Sequence, residues 1–196
     1  MRGSKRYSDR DDLALEIRRQ FFHLVLILLW CLPVYFLPYW ANIFLMLSVL
    51  LLNYLVVKKH KQLLELFSPL IESLERNRNL PRPGIQALWA NLGIFLSYLF
   101  FGKLSLVGIV VLAVGDSLST LVGKAVGRTP APLSKDKTLE GTLAFFISSY
   151  LLLIPFLPFR EALLISSLGA LLESADSRID DNFTIPVLTT ALLYLV

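Results

Sequence analysis

Apolar residues fall along this chain in seven long blocks, at roughly 21 to 37, 40 to 57, 85 to 101, 104 to 124, 140 to 157, 161 to 177 and 182 to 196. Each is close to the about 17–25 residues that an α-helix needs to cross a hydrocarbon core about 30 Å thick. The pattern predicts an all-α fold, a polytopic membrane bundle of about seven transmembrane helices, with residues 1 to 196 forming a single membrane-embedded domain. Pro33, Pro38, Pro155 and Pro158 stand in or near block ends, where a residue without an N–H breaks or turns a helix. One segment, 58 to 77, has a different rhythm, with Leu63, Leu64, Phe67, Leu70, Ile71 and Leu74 three and four apart. Such spacing predicts an amphipathic helix, lying on the membrane surface or packed across the ends of the spans.

Composition agrees with a membrane protein. Hydrophobic residues make up 55% and charged ones 17%, against about 45–50% and about 25% in soluble domains. The net charge of +4 is modest, and the basic residues flank apolar blocks, so they speak for membrane topology and against a nucleic-acid partner. In an alternating seven-span arrangement all 19 Lys and Arg except Lys103 and Arg160 fall on one side. By the positive-inside rule that side, with the N-terminus and the amphipathic helix, is cytoplasmic. No small-residue cleavage pattern follows Leu37, so the first block is expected to be a retained span. The single cysteine, Cys31, excludes an intrachain disulfide or a cysteine-rich metal site.

Against this apolar background four polar clusters stand out. Asp116 and Ser117 interrupt the fourth block, where an ionised residue costs about 2.5–3.5 kcal/mol and so marks a functional site. Asp116, Thr120, Gly123, Lys124 and Gly127 share one helical face; helix packing by small residues, with Asp116 paired to a neighbouring span, is the alternative. In the first segment Glu16, Arg19 and His23 form a stripe, preceded by Asp12, suited to an anionic head group or a nucleotide, or to a plain surface ion pair. The stretch 127 to 142 carries Arg128, Lys135, Lys137, Thr138, Glu140 and Gly141 between prolines and the start of a helix, a composition that suits a phosphate. It is not a Walker A loop, since GxxxxGK[ST] is absent from the sequence. Finally Glu173, Asp176, Asp180, Asp181 and Asn182 gather hard oxygen donors near the end of the sixth block, where Mg²⁺ held by one or two carboxylates and substrate phosphates would fit. All four clusters fall on the cytoplasmic side. Acids and bases together at one membrane face suggest a metal–phosphate site open to lipid.

The motifs ExRRQxxH at 16 to 23, GDSLSTLVGKAVGR at 115 to 128, KDKTLEGT at 135 to 142 and the late acidic run from Glu173 to Pro186 resemble the CTP-dependent lipid kinase family, which includes dolichol, phytol and fungal-type diacylglycerol kinases. Gln20 departs from the family, whose members usually carry a basic residue after the paired arginines. The resemblance implies an integral membrane enzyme that transfers the γ-phosphoryl group of CTP to the hydroxyl of a lipid alcohol, with Mg²⁺ or another divalent cation. On this basis Asp116, Glu173 and Lys135 are the expected catalytic residues, and Asp116, Glu140, Glu173, Asp176 and Asp181 the expected metal ligands. Arg18, Arg19, His23, Ser117, Thr120, Lys124, Arg128, Lys137, Thr138, Gly141 and Asn182 are expected to hold the nucleotide. The expected location is the cell membrane, with the active site cytoplasmic; the lipid alcohol, the general base and a homo-oligomeric assembly are left open. A CTP:phosphatidate cytidylyltransferase and a small ion-coupled transporter are the competing readings.

Overall fold

A computed structural model describes residues 2–74, 82–134 and 136–196, with side chains described for 13–66, 68, 69, 82–134 and 136–196. Lys135, the side chain of Asp12, the loop cations Arg76 and Arg78, and the Phe67, Leu70, Ile71 and Leu74 side chains of the amphipathic face lie outside the described residues.

The described residues are almost entirely helical. Helix α1 (Arg2–Leu28) ends in a turn and is followed by the short α2 (Cys31–Phe36), which tolerates Pro33 in its first turn, where an N–H has no intrahelical acceptor. Pro38 forces the preceding Leu37 into extended backbone and opens α3 (Tyr39–Val57). Then come α4 (Lys61–Leu74), α5 (Ile85–Phe101), a 3-10 turn at Gly102–Leu104, and α6 (Ser105–Val111). A π-helical turn, Leu112–Asp116, leads into α7 (Ser117–Val126). The chain finishes with α8 (Leu139–Leu153), α9 (Phe159–Ser174) and α10 (Asp181–Leu195). From α3 onward their positions follow the apolar blocks closely, and α4 occupies the amphipathic segment; the first block, expected as one span at 21 to 37, is instead divided between the end of α1 and α2, and α1 reaches back to Arg2.

Among the described residues three stretches are long and apolar enough to cross a membrane: Leu13–Phe36, Tyr39–Val57 and Ile85–Val126. The last is two antiparallel legs. Gly102, at φ 57, breaks the helix; α5 runs alongside α10, Trp89 meeting Phe183 and Phe101 meeting Tyr194. Along α6 the order reverses, with Gly108 against Pro186 and Thr190. Helices α8, α9 and α10 hold 15, 16 and 15 residues, about 22–24 Å each, shorter than a hydrocarbon core of about 30 Å. The described residues are thus helical and without strands, with three long apolar stretches among them, while the seven-span count rests on the sequence pattern.

The core is where α5, α6, the π turn, α8, α9 and α10 meet, and Ile94, Ile109, Leu112, Phe145, Ile165 and Ile185 are fully buried there. Large apolar side chains also cover the outside: Trp40, Phe44, Phe100 and Phe156 are each at least 70% exposed. An apolar exterior of this kind is what lipid requires and water penalises. Aromatic residues gather at the turn end of the bundle, with Tyr39 stacked on Tyr98 and Lys103 over the Tyr35 ring, as in the aromatic belt of a membrane interface. The polar clusters lie at the other end.

Close backbone approach at α10 depends on glycine. A Cβ on Gly93 would lie 2.7 Å from the Phe183 carbonyl oxygen, which is backbone and cannot swing away. Gly93→Ala is therefore expected to destabilise the protein by about 1–3 kcal/mol, seen as a lower thermal midpoint in detergent.

Candidate functional site

Helices α1, α3, α5, α7, α8, α9 and α10, the π turn and the loop before α8 line a cavity of about 860 Å³, within the range of pockets that bury a small ligand. One half is polar, the other apolar.

In the polar half, Lys137 is the hub. Its Nζ donates to Glu173 Oε1 at 3.0 Å and to Asp181 Oδ2 at 2.8 Å, joining the end of α9 to the start of α10. Glu173 is buried and also accepts from Ser119 Oγ at 2.7 Å, with Thr142 Oγ1 at 3.4 Å. Burial disfavours the Lys137 ammonium, but Asp181, Glu173 and Asp116 around it prevail and hold its pKa above the ordinary lysine value. Asp116 reaches the same half of the cavity from the π turn, its Oδ2 3.3 Å from His23 Nε2 on α1. A π turn carries one extra residue, which re-aims the side chain at its end, and such turns recur at functional sites.

The N-terminal stripe closes the site from α1. Buried Glu16 accepts from Arg19 Nη1 at 2.8 Å, from Gln20 Nε2 at 3.0 Å and from Lys124 of α7. One carboxylate thus sets two cations at the cavity rim. Gln20, the departure from the family motif, adds a donor to that carboxylate and is itself buried in the wall. Ser117 is buried beside α1 and donates to the Gln20 carbonyl at 3.4 Å.

The loop before α8 is folded on itself. Ala131 N donates to the Lys137 carbonyl and Leu139 N to that of Thr129, around an isolated bridge between Pro130 and Thr138. Thr138 caps α8, its Oγ1 accepting from Gly141 N at 3.2 Å. Gly141 lets α8 approach α7, since a Cβ there would lie 2.9 Å from the Ser119 carbonyl. Because Thr138, Gly141 and Lys137 line the cavity, the N-terminus of α8 faces it, a position that favours an anion.

Of the expected site residues, Arg19, His23, Asp116, Thr120, Lys124, Lys137, Thr138, Gly141, Glu173, Asp181 and Asn182 line this one cavity. Others lie elsewhere. Glu140 turns to the loop, accepting from Thr129 N at 3.2 Å and Thr129 Oγ1 at 3.1 Å. Asp176 is exposed beside a smaller cavity of about 200 Å³. Arg18 and Arg128 are exposed and outside the wall, and Lys135 is outside the described residues. Among the described residues no three His, Cys, Asp or Glu side chains form a ready-made metal cage.

The expected Glu16–Arg19 pairing is present, whereas Gln20, Ser119 and Thr142 join the site without a role that the sequence assigns them. Ser119 lies two residues after Ser117 in the GDSLST motif, and its spacing gave no sign of a partner on α9.

No family profile matches the chain, and no solved structure does. An uncharacterised protein of Methanocaldococcus jannaschii is 31% identical over 182 residues, 91% of this chain and 92% of that one, and the chain belongs to the same family. It is also similar to the dolichol kinase of Saccharomyces cerevisiae, 35% identical over 107 residues, 45% of this chain and 20% of the kinase. The CTP-dependent diacylglycerol kinase 1 of Eremothecium gossypii is 28% identical over 137 residues, 56% of this chain and 43% of that enzyme. The chain thus spans less than half the length of either kinase.

Removing the Lys137 charge leaves Glu173 and Asp181 facing each other. Lys137→Met is expected to cost about 2–4 kcal/mol, somewhat below a fully buried pair because the lysine side chain is 30% exposed. The raised folded pKa fixes the sign with pH: the stabilisation is complete below the unfolded value of about 10.4 and is lost as pH rises through the folded value. The gap between wild-type and variant thermal midpoints should stay constant from about pH 7 to 9 and shrink above about pH 10.5.

Proposed function

We propose that the chain is a CTP-dependent lipid kinase, which transfers the γ-phosphoryl group of the nucleotide to the hydroxyl of a membrane lipid alcohol at the cytoplasmic face. The observation that carries this reading is one cavity with two halves, in which acids and bases from α1, α7, α9 and α10 adjoin an apolar channel between α1, α3 and α5. The likeness to dolichol and CTP-dependent diacylglycerol kinases supports the same reading. The topology proposed with it has seven spans, a cytoplasmic N-terminus and the charged end of the bundle inside.

Phosphoryl transfer needs in-line positioning of the reacting oxygens and compensation of the charge on the transferring group, more than covalent chemistry. Lys124 and Arg19, set by Glu16, and Lys137, together with the N-terminus of α8, are assigned to the triphosphate. Asp116 stands where the polar half meets the α1 wall, beside His23. It is assigned the proton of the lipid hydroxyl as that oxygen bonds to the γ-phosphorus and the bond to the β-phosphate bridging oxygen breaks, releasing the nucleoside diphosphate. His23 lies beside the Asp116 carboxylate, its Nε2 3.3 Å from Oδ2.

The donor set fits a hard divalent ion. Asp116, Glu173 and Asp181 offer carboxylate oxygens to one cavity, and Lys137 already places a positive charge among them. Mg²⁺ takes one or two carboxylates with substrate phosphates and water, so no closed cage is needed. Glu173 and Asp181 would hold it, with Asp116 adjacent, and when bound it supplies charge neutralisation to the phosphates. Glu140 is assigned to the loop, where it ties Thr129 to the start of α8.

Asp116→Asn should lower transfer of label from γ-labelled CTP to lipid by at least about 10³-fold, with the thermal midpoint within a few degrees of wild type. A variant that works at the wild-type rate would remove Asp116 from the mechanism.

A further inference from the structure

The apolar half of the cavity contains a polar feature that phosphoryl transfer does not use. Leu26, Ile27, Val49, Leu52, Ala87 and Ala90 make its wall, and Trp30, Asn53 and Asn91 are set into it from three different parts of the chain. Trp30 Nε1 donates to Asn91 Oδ1 at 2.8 Å, and Asn91 Nδ2 donates to Asn53 Oδ1 at 2.5 Å. An indole N–H can only donate, so the direction of the relay is fixed. Asn91 must turn its oxygen to Trp30 and its amide nitrogen to Asn53, and Asn53 must then answer with its own oxygen. The Asn53 amide N–H groups are the open end of the relay: among the described residues they have no acceptor, and Asn53 lines the cavity. Asn53 lies four residues before the end of α3, about 6 Å along the helix from the charged end, on the path of an alkyl chain whose hydroxyl has reached Asp116.

We propose that Asn53 is a specificity-determining residue. Its amide, oriented by Asn91 and Trp30, donates to an oxygen on the lipid a few bonds from the reacting hydroxyl. The substrate class it selects is a glycerolipid alcohol, in which ester or ether oxygens flank the hydroxyl, over a polyprenol, whose chain beyond the hydroxyl offers no acceptor. In an apolar wall, a lipid without that oxygen leaves the donor unpaired, and discrimination arises from this. The proposal rests on the lipid kinase reading for its reaction, but it concerns the binding half of the cavity alone.

The test uses the full chain in mixed micelles with labelled CTP, Mg²⁺ and four alcohols: a diacylglycerol, a dialkylglycerol, a polyprenol and phytol. The expected result is a kcat/KM for one or both glycerolipids at least roughly tenfold above the polyprenol, with Asn53→Leu collapsing that ratio toward 1 through the glycerolipid KM. Trp30→Phe, which removes the orienting donor and keeps the apolar bulk, should collapse it in part. The diacyl and dialkyl arms tell a carbonyl acceptor from an ether one. A wild-type preference for polyprenol, or an Asn53→Leu variant that slows all four alcohols equally, overturns the proposal. Absence of label on every alcohol defeats the kinase reading, and the role of Asn53 is then decided by binding. Quenching of Trp30 emission by brominated forms of the same alcohols, with Trp40 and Trp89 replaced by Phe, must show the glycerolipid preference in the parent chain and lose it in Asn53→Leu; equal binding overturns the proposal.

Discussion

The structure depends on a charge that has to be balanced where water is scarce. Glu173 is 2% exposed, and a carboxylate in such a place needs a cation with good geometry or it gives up its charge. Lys137 meets that need from a loop, holding Glu173 and Asp181 at once. This single ammonium brings α9, α10 and the segment before α8 to a common point. Ser119 adds α7 through its bond to Glu173, and Asp116 and His23 carry the arrangement across to α1. A buried ion pair contributes little net stability over an apolar substitute, so its presence argues for a function.

The rest of the fold serves to deliver these groups. Close packing at Gly93 and Gly108 holds α10 against the α5–α6 hairpin, which fixes the height of Asp181 and Asn182. Gly141 does the same for α8 against α7. The folded loop, tied by Glu140 and Thr129, sets the angle at which Lys137 enters the cavity. Glu16 has a parallel role on the opposite wall, where it fixes Arg19 and Lys124. The two anchored basic groups and the carboxylates face each other across the space assigned to the triphosphate. An apolar channel adjoins Asp116 on the side of α3 and α5.

Much of this was legible in the sequence, for physical reasons. Apolar blocks bounded by proline and charge gave α3, α5, α8, α9 and α10 to within a few residues, but the first block, expected at 21 to 37, is broken between α1 and α2, and α1 extends back through polar sequence to Arg2. An acid inside such a block is costly, so Asp116 and Glu173 stood out, and both line the cavity. What could not be read was pairing between elements. Glu140 has the composition of a ligand, yet its partner is the local backbone of Thr129, and only the folding of the loop reveals that. Gln20 stands where a basic residue is usual, and it donates to Glu16. The stretch from Ile85 to Val126 reads as two blocks that alternate in direction with Lys103 between them, and the contacts of α5 and α6 with α10 agree with that reversal. Trp30, Asn53 and Asn91 are unremarkable singly and become a relay only when three segments meet.

The most direct measurement is the mass of the lipid product when purified protein is incubated with CTP, Mg²⁺ and a mixture of lipid alcohols and phosphatidate. The expected products are a lipid monophosphate and CDP. A cytidine-diphosphate lipid accompanied by pyrophosphate, or unchanged lipids with CTP intact, would contradict the lipid kinase reading.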